Sequence, residues 1–426
     1  MPTSLTKRFL GFAGLPMLSS LAPFLLLPWI ARLGGSSDWA AINIGQSVGM
    51  FAAMIVSYGY TMTGPARVTS IGSEAERAKL YLLSVTTRVA IFVVAVPAVA
   101  VTVLWISPAG SSSIGIWMGI AAASSGLSMT WYGVATGSPR DIALFDAVPR
   151  AISVVSAAGA LFLTRDVVFY PLAIIGATLI GIFLFTRKIL SSGDIPYPGL
   201  RDLVGEVKVG ASAAIAVSMA GIYSTTPVPL AGLQRIEHGL ASLASADRLY
   251  RIMLTAISVL SNTFQSWVTG DEGNSVNHRP IWALAAHSLL GICGFSFLAI
   301  GGPTLTAMVF GEDVAATHAS GIWYGIAFLA VSINTSLGLH ILVPMRQSSM
   351  VMWSTLVGGL VGIPAIVLLT KMYDGDGTSA GFAFGEVAVC IAQAILIFKT
   401  RAGACHRAPS GRHFRVPPKD VLVEAE

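Results

Sequence analysis

The chain consists of long apolar runs separated by short polar connections. A helix that crosses the hydrocarbon core of a bilayer needs roughly 20 mostly apolar residues, and runs of that length predict about twelve transmembrane helices. The pattern therefore predicts an all-α polytopic membrane protein. The predicted spans are 9–31, 38–61, 79–106, 114–136, 142–164, 168–186, 208–232, 240–270, 281–310, 318–344, 350–372 and 377–398.

Composition supports the same class of protein. Hydrophobic residues make up 54% of the chain and charged residues only 11%, whereas a soluble domain carries about 25% charged residues. The net charge is +5, but a basic excess in a membrane protein usually reflects topology. We therefore expect a lipid bilayer as partner and no nucleic acid. The three cysteines have no spacing that indicates a metal site or a disulfide framework, and no cofactor is predicted.

Lysine and arginine placement predicts the orientation. Cytoplasmic loops carry an excess of these residues. With the N-terminus inside, nearly all of them fall on the cytoplasmic side, and Arg248 and Arg251 lie within a span. We expect a multi-pass plasma-membrane protein with both termini in the cytoplasm. The residues left on the opposite side are Arg32, Arg165, Arg235 and Lys371.

The longest internal connection, residues 186–208, is basic and contains two prolines. It divides the chain into two six-helix halves, 1–193 and 194–398, which we expect to surround a central cavity. The tail, 399–426, is polar and contains several prolines, which predicts a disordered cytoplasmic segment. A stop-transfer role suits its basic residues better than binding to anionic headgroups does.

The two halves carry a weak repeat in pattern rather than in identity. A shift of about 201 residues places Pro28 on Pro229 and Gln46 on Asp247. Transporters commonly contain such repeats, with the substrate site between them near the membrane midplane. With six spans in each half, the repeat is parallel, about an axis along the membrane normal.

Residues 131–172 contain, in order, an aromatic helix end, a polar turn, a charged helix start and an aromatic start of the next helix. Their sequence is "WYGVATGSPRDIALFDAVPRAISVVSAAGALFLTRDVVFYPL". It resembles the polysaccharide flippases, the O-antigen and capsule repeat-unit translocases of the multidrug/oligosaccharidyl-lipid/polysaccharide exporter superfamily. "LPWIARLGG" (27–35), "YGYTMTGPARVTS" (58–70) and "ADRLYR" (246–251) are similar to other helices of that family. The resemblance covers most of residues 5–400.

The resemblance implies a function and a cargo. A flippase of this family moves an oligosaccharide on a polyprenyl pyrophosphate from the inner to the outer leaflet by alternating access, for surface polysaccharide assembly. It also implies a polysaccharide polymerase and glycosyltransferases as partners. The energy source stays open between the membrane potential, H⁺ or Na⁺ coupling, and downhill transport driven by polymerisation outside.

Three charges within one predicted helix are the strongest candidates for a binding site. Arg251 lies about eleven residues into its span, roughly 16 Å deep, where a charge is costly. Asp247 and Arg251 are four residues apart and can pair along one helical face, which leaves Arg248 as the surplus cation. Two interpretations compete: a buried pair that fixes helix packing, or cations that line the cavity and bind pyrophosphate.

Other polar residues within predicted spans are weaker candidates. Arg88 and Arg150 can line the cavity or reach back to the cytoplasmic interface. Gln46 and Gln265 can hydrogen-bond sugar or a neighbouring helix. Glu386 is the only acidic residue of the last span and is a candidate for ion coupling or for an interhelical pair.

Two other functions compete with the flippase. A cation-coupled drug exporter of the same superfamily relies on acidic residues in the first or seventh helix, but 9–31 and 208–232 contain no Asp or Glu. A membrane enzyme such as a polymerase needs a sizeable outer loop with acid–base residues, and the outward loops are short. The sequence therefore favours a transporter over an enzyme, and a scaffold without transport activity stays open.

Overall fold

The computed structural model describes residues 25–191, 195, 198–236, 239–269, 278–345 and 347–406. The described chain is helical and contains no β-strand. Most of the first predicted span, 9–31, and the tail beyond His406 lie outside the described residues. The last helix runs past the predicted boundary at 398 to His406.

The described part before the predicted boundary between the halves is called the N-terminal part, and the described part after it the C-terminal part. The N-terminal part contains α1 (Leu27–Ser57), α2 (Tyr60–Ser70), α3 (Glu74–Ile106), α4 (Ser112–Ser124), α5 (Thr130–Ala135), α6 (Pro139–Ile142), α7 (Val148–Thr164) and α8 (Phe169–Leu190). The C-terminal part contains α9 (Leu200–Thr225), α10 (Pro227–Leu233), α11 (Leu240–Thr269), α12 (Arg279–Ser296), α13 (Gly302–Phe310), α14 (His318–Ser336) and α15 (Ser348–His406).

Seven helical segments of the described chain are long and apolar enough to cross a membrane. Two of them contain consecutive predicted spans that meet at a break. In α1 the break is at Gly35, whose φ of 68° is not helical, and in α15 it is at Asp374, whose φ is 49°. The prediction of an all-α polytopic fold is confirmed, whereas the boundaries of the individual helices differ from the apolar runs.

Three predicted spans are not among the seven segments, for local physical reasons. The 114–136 run is divided into α4 and α5 by a 3₁₀ turn at Ser125–Leu127. The 208–232 run is divided between α9 and α10 at Thr226. The 240–270 run forms one helix, α11, but it carries the three charges described above.

Small residues allow α1 and α4 to cross at very short range. Gly45 and Gly49 on α1 face Gly115 and Gly119 on α4, so that two G-x-x-x-G patterns meet. A Cβ at Gly45 would lie 1.9 Å from the Gly115 carbonyl oxygen, and one at Gly49 would lie 2.2 Å from that of Gly119. Such patterns let two backbones approach closely where lipid offers no hydrophobic driving force. This crossing fixes α1, which carries Gln46, against the rest of the N-terminal part.

We expect Gly45→Ala to destabilise the protein by roughly 1–3 kcal/mol, the usual cost of overpacking, because the added methyl group meets backbone atoms that cannot move aside. A thermal unfolding midpoint in detergent measures the effect. Gly159→Ala is the matched control, since a Cβ at Gly159 in α7 meets nothing within 4 Å. An unchanged midpoint for Gly45→Ala would show that the crossing is not tight.

Candidate functional site

The two outer charges of the α11 cluster form the ion pair that their spacing predicts. Arg251 Nε donates to Asp247 Oδ2 at 2.5 Å, and its Nη2 donates to the backbone oxygen of Ser224 on α9 at 3.0 Å. Tyr324 Oη of α14 donates to Asp247 Oδ1 at 3.2 Å. The pair is therefore held inside the C-terminal part, between α9, α11 and α14.

Arg248 points away from that pair and joins the two parts of the protein. Its side chain is 4% exposed. Its Nη1 donates to Gln46 Oε1 of α1, and it interacts with the Tyr170 side chain of α8. The side chains of adjacent residues on a helix point about 100° apart, so Arg248 and Asp247 contact different neighbouring helices. The surplus cation of the sequence thus lies on α11 at the contact between the N-terminal and C-terminal parts, which we call the seam.

The seam is also closed on either side of Arg248. Following the predicted orientation, we call the cytoplasmic end of the bundle its inner end and the opposite end its outer end. Toward the outer end, Trp39 Nε1 donates to Ser245 Oγ at 2.9 Å, and the Trp39 ring lies 4.9 Å from that of Phe310. Arg32 Nη2 also donates to the Met308 backbone oxygen at 2.6 Å.

At the inner end, a two-pronged ion pair joins α2 to α9. Arg67 Nη1 and Nη2 donate to Glu206 Oε1 and Oε2 at 2.5 and 2.8 Å, and Tyr60 Oη donates to the same Oε1 at 2.6 Å. The Glu206 side chain is only 7% exposed. Its donors therefore satisfy a carboxylate that is largely shielded from water.

A second and more exposed ion pair lies nearby. Lys79 Nζ is 3.0 Å from Asp202 Oδ2. The Lys79 ammonium and the backbone N–H of Gly199 hold the pKa of the Asp202 carboxyl below its ordinary value. Since both side chains are substantially exposed, this pair contributes little to stability.

Sequence reasoning missed the inner-end ion pair. Arg67 counted only as an orientation charge, and Glu206 lies in a polar connection just before a predicted span. A single carboxylate in a polar connection is a weak signal, because the local sequence does not indicate a partner that lies 139 residues away.

Arg88 is buried inside the N-terminal part, with 1% of its side chain exposed. Its Nη1 donates to the backbone oxygens of Gly126 and Ser128 at 3.2 and 2.7 Å, at the break that follows α4. Its guanidinium also lies 5.7 Å from the Tyr60 ring and 5.9 Å from the Trp131 ring. In this conformation Arg88 satisfies carbonyls that the broken helix frees and does not line an open cavity.

Arg150 lies beside a small hollow. It donates to Asp146 Oδ1 at 2.9 Å, and its side chain is 32% exposed. The hollow has a volume of about 30 Å³ and is also lined by Ser128 and Thr178. A space of this size holds about one or two waters. The hollow is too small for a glycan in this conformation.

The other two candidates lie apart from the seam cation. Gln265 is exposed on α11, about fourteen residues beyond Arg251 and hence roughly 21 Å from it along the helix. Glu386 is buried on α15, where Asn334 Nδ2 donates to its backbone oxygen at 3.2 Å and to its Oε2 at 3.5 Å. Of the predicted site residues, the structure therefore brings together only Gln46, Asp247, Arg248 and Arg251.

Comparison with solved structures identifies the fold. A structure described as the lipid II flippase MurJ in an inward closed conformation matches with a TM-score of 0.72 at 12% identity, over 91% of this chain and 87% of that one. An inward-facing multidrug-resistance MATE transporter of the MOP superfamily matches with a TM-score of 0.68 at 12% identity, over 92% and 96% of the two chains. The chain has the fold of the MOP superfamily.

The MOP fold confirms the prediction of an all-α membrane protein built from two six-helix halves. A eukaryotic MATE transporter, AtDTX14, matches with a TM-score of 0.60 at 14% identity, over 94% of this chain and 98% of that one. In sequence, a Shigella dysenteriae protein named "Putative O-antigen transporter" is 21% identical over 385 residues, 87% of this chain and 94% of the relative. No family model matches the chain.

We expect Glu206→Gln to loosen the inner end of the seam, because it leaves the Arg67 guanidinium without its carboxylate. Hydrogen bonds to charged groups contribute roughly 1.5–3 kcal/mol, so we expect at least about a tenfold faster reaction of a cysteine that is partly buried at the seam. Ala213→Cys supplies that cysteine, since Ala213 packs against Gly59 of the N-terminal part. The measurement is the rate of labelling by a water-soluble maleimide, in a background without the native cysteines.

Asp202→Asn is the control for this experiment. It removes the exposed ion pair with Lys79, which lies at the same end of the molecule but is open to water. We expect its labelling rate to stay near that of the parent. Equal rates for Glu206→Gln and Asp202→Asn would contradict a closing role for the Arg67–Glu206 pair.

Proposed function

We propose that the protein is a flippase that moves a polyprenyl-pyrophosphate-linked oligosaccharide from the inner to the outer leaflet by alternating access, for surface polysaccharide assembly. It is a transporter rather than an enzyme. The observation that supports this proposal most directly is the position of Arg248, a buried cation at the seam between the two parts of the bundle. The MOP fold and the similarity to a protein named as an O-antigen transporter support the same function.

The partners of Arg248 make it suitable for an anionic cargo. Gln46 supplies a neutral amide oxygen, and Tyr170 supplies a phenol. A phosphate oxygen carries a negative charge that the Gln46 amide lacks, so it attracts the guanidinium more strongly, and guanidinium binds phosphate in a two-pronged geometry. When the seam opens, a pyrophosphate can therefore replace Gln46 as the stronger partner of Arg248.

Arg251 has a different role in this proposal. Its guanidinium is held by Asp247 and by the Ser224 carbonyl, both within the C-terminal part. Opening the seam does not separate Arg251 from these partners. We therefore assign first contact with the pyrophosphate to Arg248 and assign to Arg251 the positioning of α11 against α9.

The contacts on either side of Arg248 support alternating access. The inner end is joined by Arg67 and Glu206, and the outer side by Trp39 with Ser245 and Phe310. The two sets of contacts involve different side chains, so one can open while the other stays closed. Opening the inner end admits the headgroup to Arg248, and opening the outer side releases it.

The alternative function is a cation-coupled drug exporter, since MATE transporters share the fold. A drug exporter for cationic compounds has no use for a buried guanidinium at the seam, because like charges repel. The described residues place Arg248 there, and the carboxylates of Asp247 and Glu206 each accept from an arginine. Drug efflux measured in a hypersensitive host separates the two functions.

The proposal predicts that deletion of the gene leaves lipid-linked repeat units on the inner leaflet and removes the surface glycan. We expect Arg248→Ala to reduce glycan delivery by about tenfold to a hundredfold, which corresponds to the loss of a charged hydrogen bond of roughly 1.5–3 kcal/mol. Arg248→Lys keeps the charge without the two-pronged geometry and is expected to lie between the two. Leaflet-resolved assays of lipid-linked intermediates measure each variant.

The matched control is Arg187→Ala, which removes an exposed arginine at the inner end of α8. Its delivery is expected to equal that of the parent. Parental delivery by a well-expressed Arg248→Ala protein would remove Arg248 from the binding site. Unchanged surface glycan and unchanged inner-leaflet intermediates after deletion would refute the flippase function itself.

A further inference from the structure

Glu386 is a buried carboxyl group far from either end of its helix. It lies about twelve residues beyond the break at Asp374, or roughly 18 Å along α15, near the middle of a hydrocarbon core that is ~30 Å thick. The side chain is 9% exposed. A carboxylate at this depth costs several kcal/mol unless it is compensated.

Among the described residues, the two other buried acidic side chains each have a basic partner, and Glu386 does not. Asp247 accepts from Arg251, and Glu206 accepts from Arg67. The polar groups recorded around Glu386 in the described chain belong to α14, α9, α11 and α15 itself, and none of them is basic. They are Asn334, Tyr223, Tyr250 and Cys390. The carboxyl is therefore best satisfied in its neutral, protonated form.

Asn334 provides the acceptor that a protonated carboxyl needs. The residue is 8% exposed, and its Nδ2 donates to Glu386. Its Oδ1 is buried without a hydrogen-bond partner among the described residues. An O–H of Glu386 would supply the missing donor, whereas an ionised Glu386 has no hydrogen to offer.

The same surroundings disfavour a metal ion. Hard cations such as Ca²⁺ take six or more oxygen ligands. Besides the Glu386 carboxyl, the recorded surroundings contain one side-chain amide oxygen, Asn334 Oδ1. The Nδ2 group of Asn334 donates to Glu386 Oε2, where a metal ion would have to bind. No group of three or more His, Cys, Asp or Glu side chains with metal-binding geometry occurs in the described chain. A proton needs only the carboxyl oxygen itself.

Four aromatic residues, which we call the aromatic cluster, connect Glu386 to the charges on α11. Tyr223 Oη donates to the backbone oxygen of Phe382, one turn before Glu386, at 2.7 Å. The Phe382 ring lies 5.4 Å from Tyr223, 5.6 Å from Tyr250 and 5.9 Å from Tyr324. Tyr324 in turn donates to Asp247. One cluster therefore contacts both the helix that carries Glu386 and the Asp247–Arg251 pair.

Helix α9 makes the second connection through consecutive residues. The Tyr223 side chain is packed against α15, where a Cβ at Gly385 would lie 2.0 Å from its hydroxyl. The Ser224 carbonyl accepts from Arg251. Since Tyr223 has no free space against α15, a shift of α15 at Gly385 must move α9 and with it a partner of Arg251.

We propose that Glu386 is a proton-binding site whose occupancy is coupled, through the aromatic cluster and α9, to the Asp247–Arg251 pair. This inference rests on the proposed function for the identity of the cargo but not for the proton itself. In the closed conformation the O–H bond of Glu386 is intact. When water reaches the site, the proton leaves to solvent, and the new negative charge draws water or Arg251 toward α15 and so loosens the contact with α9.

The test uses the full-length protein in liposomes, without substrate. Infrared difference spectroscopy should show the carbonyl stretch of a protonated carboxyl at neutral pH, and it should disappear as the pH is raised. Glu386→Gln should lack this signal, and Glu386→Asp should retain it at a shifted frequency. Asp202→Asn is the matched control and should keep it, because Asp202 is exposed, ion-paired with Lys79 and contributes no protonated carboxyl. Absence of the signal from the parent protein would overturn the proposal.

Coupling is tested with the Ala213→Cys reporter on α9. The maleimide labelling rate is divided by that of an exposed cysteine at the same pH, because ionisation of the thiol itself speeds the reaction. This ratio should rise with pH, by at most about tenfold per pH unit for one proton, and Glu386→Gln should abolish the rise. Tyr223→Phe should keep the infrared signal but flatten the dependence, since the link to α15 is lost. A labelling ratio that follows Na⁺ instead of pH, or a rise of the ratio with pH that persists in Glu386→Gln, would overturn the proposal. An infrared signal that is lost with Glu386→Gln, together with unchanged inner-leaflet intermediates after gene deletion, would refute the flippase and leave the proton site standing.

Discussion

A polar group inside hydrocarbon must find its partner within the protein, and this constraint accounts for most of the polar contacts described above. Water is absent there, so each uncompensated charge or backbone group costs several kcal/mol. Arg88 shows the constraint acting on the fold. The helix that contains α4 and α5 breaks at Ser125–Leu127, and the freed carbonyls of Gly126 and Ser128 both accept from Arg88. The buried cation thus donates to carbonyls that the break leaves without a helical partner.

The same constraint separates fixed contacts from movable ones. Asp247 and Arg251 lie in one part of the bundle and neutralise each other, so they can move together without losing compensation. Arg248 crosses to Gln46, which carries no charge. Separating Arg248 from Gln46 leaves one cation in need of a partner, whereas separating Arg251 from Asp247 would leave two opposite charges unpaired. The seam is therefore held at mid-depth by the contact that costs less to replace, which suits the anionic cargo proposed above.

The sequence was sufficient for contacts within one helix and insufficient for contacts between helices. The Asp247–Arg251 pair follows from a spacing of four residues, and the membrane class follows from the apolar runs. The partner of Arg248 does not, because helical periodicity gives a direction and not the neighbour that lies there. The weak repeat aligned Gln46 with Asp247, which is the residue before Arg248. Two positions related by an axis between two halves lie close together when both are near that axis.

Two further limits of the sequence have physical causes. The G-x-x-x-G patterns at Gly45 and Gly115 are visible in the sequence, but glycine is common in membrane helices, and only the crossing geometry shows which two patterns meet. Arg67 and Glu206 lie outside the predicted spans, where charge is inexpensive and carries no signal. The hydropathy pattern singles out a charged residue only where charge is costly. It therefore identified the α11 cluster and did not identify the inner-end ion pair.

Helix α11 carries, within one turn, two arginines that contact different parts of the protein. Arg248 faces the N-terminal part, and Arg251 faces α9, which also packs against the helix that carries Glu386. A change at the seam that rotates or shifts α11 therefore reaches Arg251 directly and α9 through the Ser224 carbonyl. Coupling between distant sites requires an element whose arrangement both sites influence. In the proposed mechanism α11 meets that requirement, because its backbone joins the contact of Arg248 with the N-terminal part, which must break, to the contact of Arg251 with α9, which Glu386 influences.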